Sequence, residues 1–162
     1  ETFAILIEER FDTPFSSGVF LERGKGFKRA LEAKGHTDHT DHVVHVEFSD
    51  EGGRLAFREI LDRAAPPFNI FASCDLLARG VLDEAARAGL EIGRDVRIVG
   101  FDDQPWALAA GLSTVRQPIE LMGRMGVKLL LERIADPDKP VTHHELEATL
   151  VIRSSSNGNN SA

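Results

Sequence analysis

Apolar runs alternate with amphipathic segments along most of this chain. The runs FAILI (3–7), VVHVEF (43–48), NIFAS (69–73) and VRIVGF (96–101) are rich in β-branched and aromatic residues, as strands covered on both faces are. Segments with apolar residues at helical spacing separate them, and the strand–helix pair repeats about every thirty residues. This alternation predicts an α/β fold with a mainly parallel sheet and flanking helices.

The alternation changes after Leu112. STVRQP (113–118) indicates an extended segment, a helix is predicted over 118–135, and LEATLVIR (146–153) alternates like a last strand. We therefore expect the chain to leave the sheet and to return to it. The polar stretch at 154–162 is typical of a disordered tail.

Composition limits the classes of partner. The chain has 162 residues and a formal net charge of -7, which fits one domain and argues against direct binding to nucleic acid or to an anionic membrane. Its one cysteine, Cys74, excludes an internal disulfide. No apolar run approaches the roughly 20 residues of a membrane span, and the first residues do not resemble a signal peptide. We expect a cytoplasmic domain without membrane contact.

Two adjacent carboxylates, Asp102 and Asp103, follow the fourth predicted strand. In a parallel α/β sheet, ligands bind beyond the carboxyl ends of the strands, so this topology places the acids at a binding edge. Successive residues at a strand end point in opposite directions. One acid is therefore expected to face the cleft, and the other to cap or pair elsewhere.

Catalytic and cofactor chemistry has little support in the sequence. The segment HTDHTDHVVH (36–45) carries histidines and aspartates, but its glycine and threonine neighbours favour a solvated loop over a metal site. There is no Walker or GxSxG pattern, and Cys74 has no histidine near it in the sequence, which favours an inert, buried thiol. We predict no enzyme activity, no metal and no cofactor.

The remaining interpretation is recognition of a polar small molecule. A carboxylate accepts hydrogen bonds from hydroxyl groups, an arginine fork donates several, and an aromatic face stacks on a ring. Asp102, Arg23 and Phe48 supply these three groups from separate segments that meet at one predicted sheet edge. The residues alone therefore favour a binding domain for a hydroxylated ligand.

Five motifs extend this interpretation. They are RGKGF (23–27), FASCDLLARG (71–80), GLEIGRDVRIVGFDD (89–103), LSTVRQP (112–118) and LVIRSSS (150–156). Together, and in this order, they resemble the ligand-sensing core of the LacI/GalR family of bacterial transcriptional regulators. The resemblance implies a periplasmic-binding-protein-like (type I) core of two lobes. Residues 1–153 would then be the effector-binding domain, mostly its C-terminal lobe, with the helix at 118–135 belonging to the N-terminal lobe.

The resemblance also implies roles for individual residues. Arg23 matches the family's arginine that grips hydroxyl or carboxylate groups of the ligand, Asp102 matches the acid that accepts hydroxyls, and Phe48 falls where an aromatic residue stacks on the ligand. The further positions beside the pocket are Asp75, Gln117, Ser17 and Cys74. Cys74 stands where the family usually has asparagine, so a thiol replaces a hydrogen-bonding amide.

The function that the resemblance implies is control of transcription by a small-molecule effector, such as a sugar or a related metabolite. Operator DNA would be bound by a helix-turn-helix domain that this chain does not contain. Family members dimerise through the helix and the loop that match 75–88 and 104–111, so Leu77, Val81 and Trp106 are expected near the axis of a homodimer. The alternative is the solute-binding protein of a sugar transporter, which shares the core fold.

Overall fold

The computed structural model describes residues 1–7, 18–36 and 42–157. Its strands are β1 (Thr2–Ile7), β2 (Val43–Val46), β3 (Phe68–Ala72), β4 (Val96–Phe101), β5 (Ser113–Arg116) and β6 (Thr149–Val151). Its helices are α1 (Val19–Glu32), α2 (Asp50–Arg63), α3 (Asp75–Arg87), α4 (Pro105–Ala109), α5 (Ile119–Ala135) and α6 (Ser154–Asn157). The first four strands and the helices between them lie where the apolar alternation predicts them.

The strands form one sheet in the order β2-β1-β3-β4-β5-β6. The strands β1 to β5 run parallel, with Ile5 beside Ala72 and Ile70 beside Ile98, and β6 is antiparallel to β5. This arrangement confirms the predicted α/β fold with a mainly parallel sheet. The carboxyl ends of the parallel strands meet at one edge, where the loop after β4 carries the acid pair.

The core contains alternate residues of β3 and β4 together with the apolar stripes of α2 and α3. Phe68 and Ile98 of the strands are fully buried in one cluster with Phe57 of α2 and with Leu77 and Val81 of α3. Leu77 and Val81, which the sequence analysis places near a dimer axis, are thus core residues of their own chain, and their place relative to such an axis stays a prediction. Neither side chain has exposed surface, because the stripe of α3 that they form is covered within its own chain.

A glycine in each of α2 and α3 lets these helices pack closely. A methyl group on Gly53 would overlap the carbonyl oxygen of Leu77, and one on Gly80 would overlap that of Asp50. Any larger residue at either position would push the two helices apart. This close packing fixes the start of α3, and with it the β3–α3 turn at the sheet edge.

Helix α5 stands apart from this core. The structure describes all of its residues, and none of them is buried. Its mostly exposed apolar side chains include Ile119, Val127, Leu130, Leu131 and Ile134. The chain leaves the sheet after β5 and returns to it in β6, as the sequence predicts. Within the described ranges, no helix combines the length and the apolar character that crossing a bilayer requires.

The residues after β6 differ from the predicted disordered tail. Residues 154–157 form α6, in which Ser155 is fully buried. The Ser155 hydroxyl donates a hydrogen bond to the carbonyl oxygen of Ile98 at 2.7 Å and accepts one from the N–H of Ser113 at 2.8 Å. The polar composition suggested disorder, but the hydroxyl completes the hydrogen bonding of β4 and β5. Residues 158–162 lie outside the described part.

We expect Ser155→Ala to destabilise the domain, because the Ser113 N–H and the Ile98 carbonyl would both lose a buried partner. The expected loss is about 1–3 kcal/mol in the free energy of unfolding. Urea denaturation followed by circular dichroism measures it. Ser154→Ala, at the exposed neighbouring position, is the control and should change this free energy by less than about 0.5 kcal/mol. Equal stability of the two variants would contradict the anchoring role of Ser155.

Candidate functional site

Arg23 reaches the sheet edge from α1. Its Nη1 donates a hydrogen bond to the carbonyl oxygen of Ser73 at 2.6 Å, and its Nη2 lies 3.4 Å from Oδ1 of Asp102. The guanidinium also lies over the ring of Phe101, with 3.8 Å between Cζ and the ring centroid. The structure thus brings Arg23 and Asp102, two of the predicted binding residues, into contact.

The Arg23–Asp102 pair is charged but poorly solvated, with side chains that are 10% and 23% exposed. Burial lowers the pKa of Arg23, and Asp102 acts against this shift. Burial likewise raises the pKa of Asp102, with Arg23 acting in the opposite direction. Both pKa shifts disfavour the charged forms, because an attraction across 3.4 Å does not replace the lost water. A ligand with hydroxyl groups would add hydrogen bonds to both side chains.

Aromatic rings lie next to this pair. Phe48 follows β2, is largely exposed, and lies 6.0 Å from Phe20 between ring centroids. The centroid of the Phe20 ring is 5.1 Å from Cζ of Arg23. Phe48 was predicted from the sequence, whereas Phe20 and Phe101 were not, because helical spacing and strand composition already account for these two residues. The Phe48 ring therefore presents an exposed apolar face beside the charged pair.

The loop after β4 adopts a backbone conformation that few residues favour. Asp102 and Asp103 both have positive φ angles, 117° and 55°. The N–H of Asp102 donates to the carbonyl oxygen of Val115 at 2.9 Å, and that of Asp103 donates to the hydroxyl of Thr114 at 3.3 Å. Strain of this kind costs roughly 1–3 kcal/mol per residue and concentrates at functional sites. Hydrogen bonds to β5 therefore help to stabilise a backbone conformation of Asp102 and Asp103 that is unfavourable by itself.

Asp75 lies beneath this loop and is fully buried. Its Oδ1 accepts a hydrogen bond from the Thr114 hydroxyl at 2.6 Å, and its Oδ2 accepts one from the Gln104 N–H at 2.8 Å. Burial raises the pKa of Asp75, although these hydrogen bonds act in the opposite direction. A methyl group on Gly100 would overlap Oδ1, so glycine leaves the space that the carboxylate needs. Asp75 therefore supports the loop from inside the core, and its predicted position beside a ligand stays a prediction.

Cys74, also predicted beside the pocket, is buried as well. Burial raises the pKa of its thiol to about 11, so the thiol is protonated at neutral pH. This burial agrees with the expectation of an inert thiol. It also removes the Cys74 side chain from the surface that is open to a ligand at the sheet edge.

Gln117 joins the site from the segment that follows β5. Its Nε2 donates a hydrogen bond to Oδ1 of Asp102 at 2.9 Å. A groove of about 420 Å³ lies beside them, lined by the acid pair and by residues between Arg116 and Arg124. The remaining predicted binding residue, Ser17, lies outside the described part of the chain.

A larger groove of about 590 Å³ lies between α1 and the strands β3, β4 and β5. Phe27, Phe71, Val99 and Val115 are among the side chains that line it. Its lining is mainly apolar, whereas polar groups with shifted pKa values and a strained loop converge at the sheet edge. We therefore assign the candidate site to the edge and not to the larger groove.

The histidine-rich segment is only partly described. Nδ1 of His42 lies 2.8 Å from the carbonyl oxygen of Thr2, and residues 37–41 lie outside the described part. Among the described residues, no histidine, cysteine, aspartate and glutamate side chains are grouped closely enough to hold a metal ion. The absence of a bound metal therefore stays a prediction.

Known proteins show the same organisation. Residues 2–156 match the profile of the periplasmic binding protein-like domain family. The chain belongs to this family. Its relatives are transcriptional regulators, including members of the LacI family, as the sequence motifs predict. These relatives favour a regulator over the solute-binding protein of a transporter.

Three relatives illustrate the similarity. The HTH-type transcriptional regulator CelR of Thermobifida fusca is 35% identical over 137 residues, which make up 83% of this chain and 40% of CelR. The structure of a probable transcription regulator from Thermus thermophilus is 46% identical with a TM-score of 0.87, covering 96% of this chain and 59% of that one. A LacI family regulator from Enterococcus faecium with bound ribose is 31% identical with a TM-score of 0.81, covering 96% and 56%. The chain thus spans 40% of the length of CelR.

Replacing Asp75 by alanine should destabilise the domain, because the Gln104 N–H and the Thr114 hydroxyl would lose a buried acceptor. The expected cost is about 1–3 kcal/mol of unfolding free energy for each group left without a partner. Urea denaturation measures it. Asp62→Ala, at an exposed aspartate of α2, is the matched control and should stay within about 0.5 kcal/mol of the wild type. If both variants unfold at the same urea concentration, Asp75 does not support the loop.

Proposed function

We propose that this chain is the effector-binding part of a LacI-type transcriptional regulator, and that its effector is a sugar or a related polyhydroxylated metabolite. The observation that carries the proposal is the Arg23–Asp102 pair at the carboxyl edge of the sheet, whose side chains are 3.4 Å apart and only 10% and 23% exposed. Burial lowers the pKa of Arg23 and raises the pKa of Asp102. Gln117 adds an amide, and Phe48 adds an exposed ring. The Enterococcus faecium relative holds ribose, a ligand of this class.

The proposed mechanism is thermodynamic linkage. An effector that binds one arrangement of the two lobes more tightly than the other shifts the population toward that arrangement. The DNA-binding part of the regulator, a helix-turn-helix domain outside this chain, would respond to that shift. The acidic charge of -7 supports this division of labour, because a domain of this charge is unsuited to contact phosphates directly.

We also propose that the domain binds without catalysing a reaction and that it works in the cytoplasm. The protonated thiol of Cys74 lacks nucleophilic character, and the acid pair divides between two different sets of partners. The known relatives are regulators of transcription, a process that takes place in the cytoplasm of bacteria.

The exposed helix α5 supports a two-lobed protein. So many exposed apolar side chains are unusual on the surface of a complete protein. The apolar stripe of an amphipathic helix is normally covered by another part of the protein. We propose that α5 packs against a first lobe that this chain does not contain. The share of CelR that the chain spans, 40%, leaves room for such a lobe and for a DNA-binding domain.

A homodimer remains the proposed assembly, with a revised contact surface. Leu77 and Val81 belong to the core, whereas Trp106 is half-buried. Cζ of Arg79 lies 5.9 Å from the centroid of the Trp106 ring. Leu108, on the same short helix α4, is 72% exposed. Tryptophan and arginine are the residue types that most often dominate the energetics of protein interfaces, and the exposed leucine adds apolar surface beside them. We propose that the surface formed by Arg79, Trp106 and Leu108 contacts the same surface of a second copy of the chain.

Arg23→Ala and Asp102→Ala should each weaken sugar binding by the full regulator without unfolding it. Losing a charge-assisted hydrogen bond costs about 1.5–3 kcal/mol, or roughly tenfold to a hundredfold in affinity. A thermal-shift panel of pentoses, hexoses and disaccharides that includes D-ribose identifies the probe, and calorimetry measures its affinity. Arg29→Ala, an exposed arginine of α1, is the control. Unchanged affinity in both variants would remove the pocket assignment, and a panel without any stabilising sugar would contradict the effector class.

Leu108→Glu should split the dimer of the full regulator, because a carboxylate would be buried at the proposed contact. Sedimentation velocity measures the change, with circular dichroism to confirm that the fold persists. Val141→Glu is the matched control, since Val141 is also 72% exposed but lies after α5. A regulator that sediments as a monomer before mutation, or a Leu108→Glu variant that stays dimeric, would show that this surface is not the interface.

A further inference from the structure

The larger of the two grooves leaves part of one face of the sheet open. Phe71 of β3, Val99 of β4 and Val115 of β5 line it, and each of these apolar side chains is only partly buried. The opposite face is covered, because Phe68 and Ile98 of β3 and β4 are fully buried in one cluster with residues of α2 and α3. Side chains that alternate along the same strands therefore differ in how well they are covered.

A parallel sheet normally has both of its faces covered, because each strand contributes apolar side chains to both. On the groove face, α1 covers part of the sheet, and the ring of its Phe27 stacks on that of Phe71 with 5.9 Å between the centroids. Within the described part of the chain, no residue of α5 lines the groove. The sheet therefore needs a further covering element beside α1.

The length of the groove fits a helix. The groove reaches from Arg97, near the amino end of β4, to Phe101, at the carboxyl end of the same strand. The six residues of β4 span roughly 20 Å, and a helix of about 13 residues has the same length. One helix of ordinary size would therefore cover the groove from end to end.

The position of β1 indicates which helix this is. A helix that leads into a strand of a parallel sheet runs antiparallel to the strand, because the chain must return from the carboxyl edge to the amino edge. Thr2, the first residue of β1, pairs with Asn69 at the amino edge, and both residues line the groove. A helix that leads into β1 would therefore end at the amino end of the groove.

Polar side chains at that end suit the end of a helix. The last carbonyl groups of a helix have no partner within it, and hydrogen-bond donors or cationic side chains stabilise them. Asn69 and Arg97 are exposed, line the groove near the amino edge, and offer an amide and a guanidinium. The apolar middle and the polar amino end of the groove thus match one helix in one direction.

We propose that the roughly 20 residues preceding Glu1 in the full-length protein form a helix that lies in this groove, followed by a short connection to β1. The chain spans 40% of CelR and 59% of the Thermus thermophilus regulator, so proteins of this kind are long enough to contain the segment. Arg23 and Phe101 line the groove as well, so the helix would begin beside the candidate site. The inference rests on the sheet and not on the identity of an effector.

Photo-crosslinking in the full-length protein identifies what lies in the groove. The photoreactive residue p-benzoylphenylalanine is incorporated in place of Leu150, which lines the groove from β6 and is 55% exposed. After irradiation, proteolysis and mass spectrometry identify the peptide that the benzophenone has captured. We expect the main product to be a crosslink within one chain, to a peptide from the roughly 20 residues before Glu1.

Leu55 is the matched control position. It is also a leucine and is 53% exposed, but it lies on α2, which packs on the opposite face of the sheet. At this position the photoreactive residue should capture no peptide from the segment before Glu1. Phe27, which lines the groove from α1, is a second test position and should capture the same peptide as Leu150. It decides the outcome if circular dichroism shows that the Leu150 variant does not fold.

Three results would overturn the proposal. A crosslinked dimer as the main product would mean that a second copy of the chain fills the groove. A main product within residues 1–162, such as a crosslink to α5, would mean that this part of the chain covers the groove by itself. Benzophenone that stays unreacted at both groove positions would mean that the groove is open to solvent. A failure to find a sugar ligand would leave the expected crosslink unaffected.

Discussion

The buried carboxylate of Asp75 organises the functional edge of this domain. It begins α3, accepts the hydroxyl hydrogen bond of Thr114 in β5, and accepts the N–H of Gln104 in the loop after β4. Three separate parts of the chain therefore converge on one group that burial makes costly to ionise. The space for it depends on Gly100, and the position of α3 depends on the glycines at its contact with α2.

Burial also explains the chemistry of the site. The attraction between Arg23 and Asp102 is real, but it acts across 3.4 Å between groups that have lost most of their water. The pKa of Arg23 is consequently lowered and that of Asp102 is raised, and both shifts favour the neutral form of the side chain. A polyhydroxylated molecule both donates and accepts hydrogen bonds, so it can satisfy the acid and the guanidinium together. A protein that binds such a molecule benefits from polar groups that are fixed in place before the ligand arrives.

The two adjacent acids in the loop after β4 bind different partners. Asp102 contacts Arg23 and Gln117, while Asp103 binds Arg116 at the end of β5 and Arg153 just after β6. Both acids lie after β4 with positive φ angles, so the conformation of the loop sets their directions. The antiparallel pairing of β6 with β5 brings Arg116 and Arg153 to the carboxylate of Asp103, although 37 positions separate them in the sequence.

The sequence by itself determined the α/β class, the first four strands with their helices, and the edge at which Arg23 and Asp102 meet, because strand and helix periodicity and parallel topology are local or nearly local properties. It did not reveal that Leu77 and Val81 fill the core, since a helix with apolar residues on several sides does not indicate which stripe faces inward. Nor did it reveal that Ser155 is anchored or that Asp75 is covered, because each depends on partners distant in sequence. Only the tertiary structure decides such pairings, since the free energy of a buried polar group is set by the particular donors and acceptors that packing brings to it.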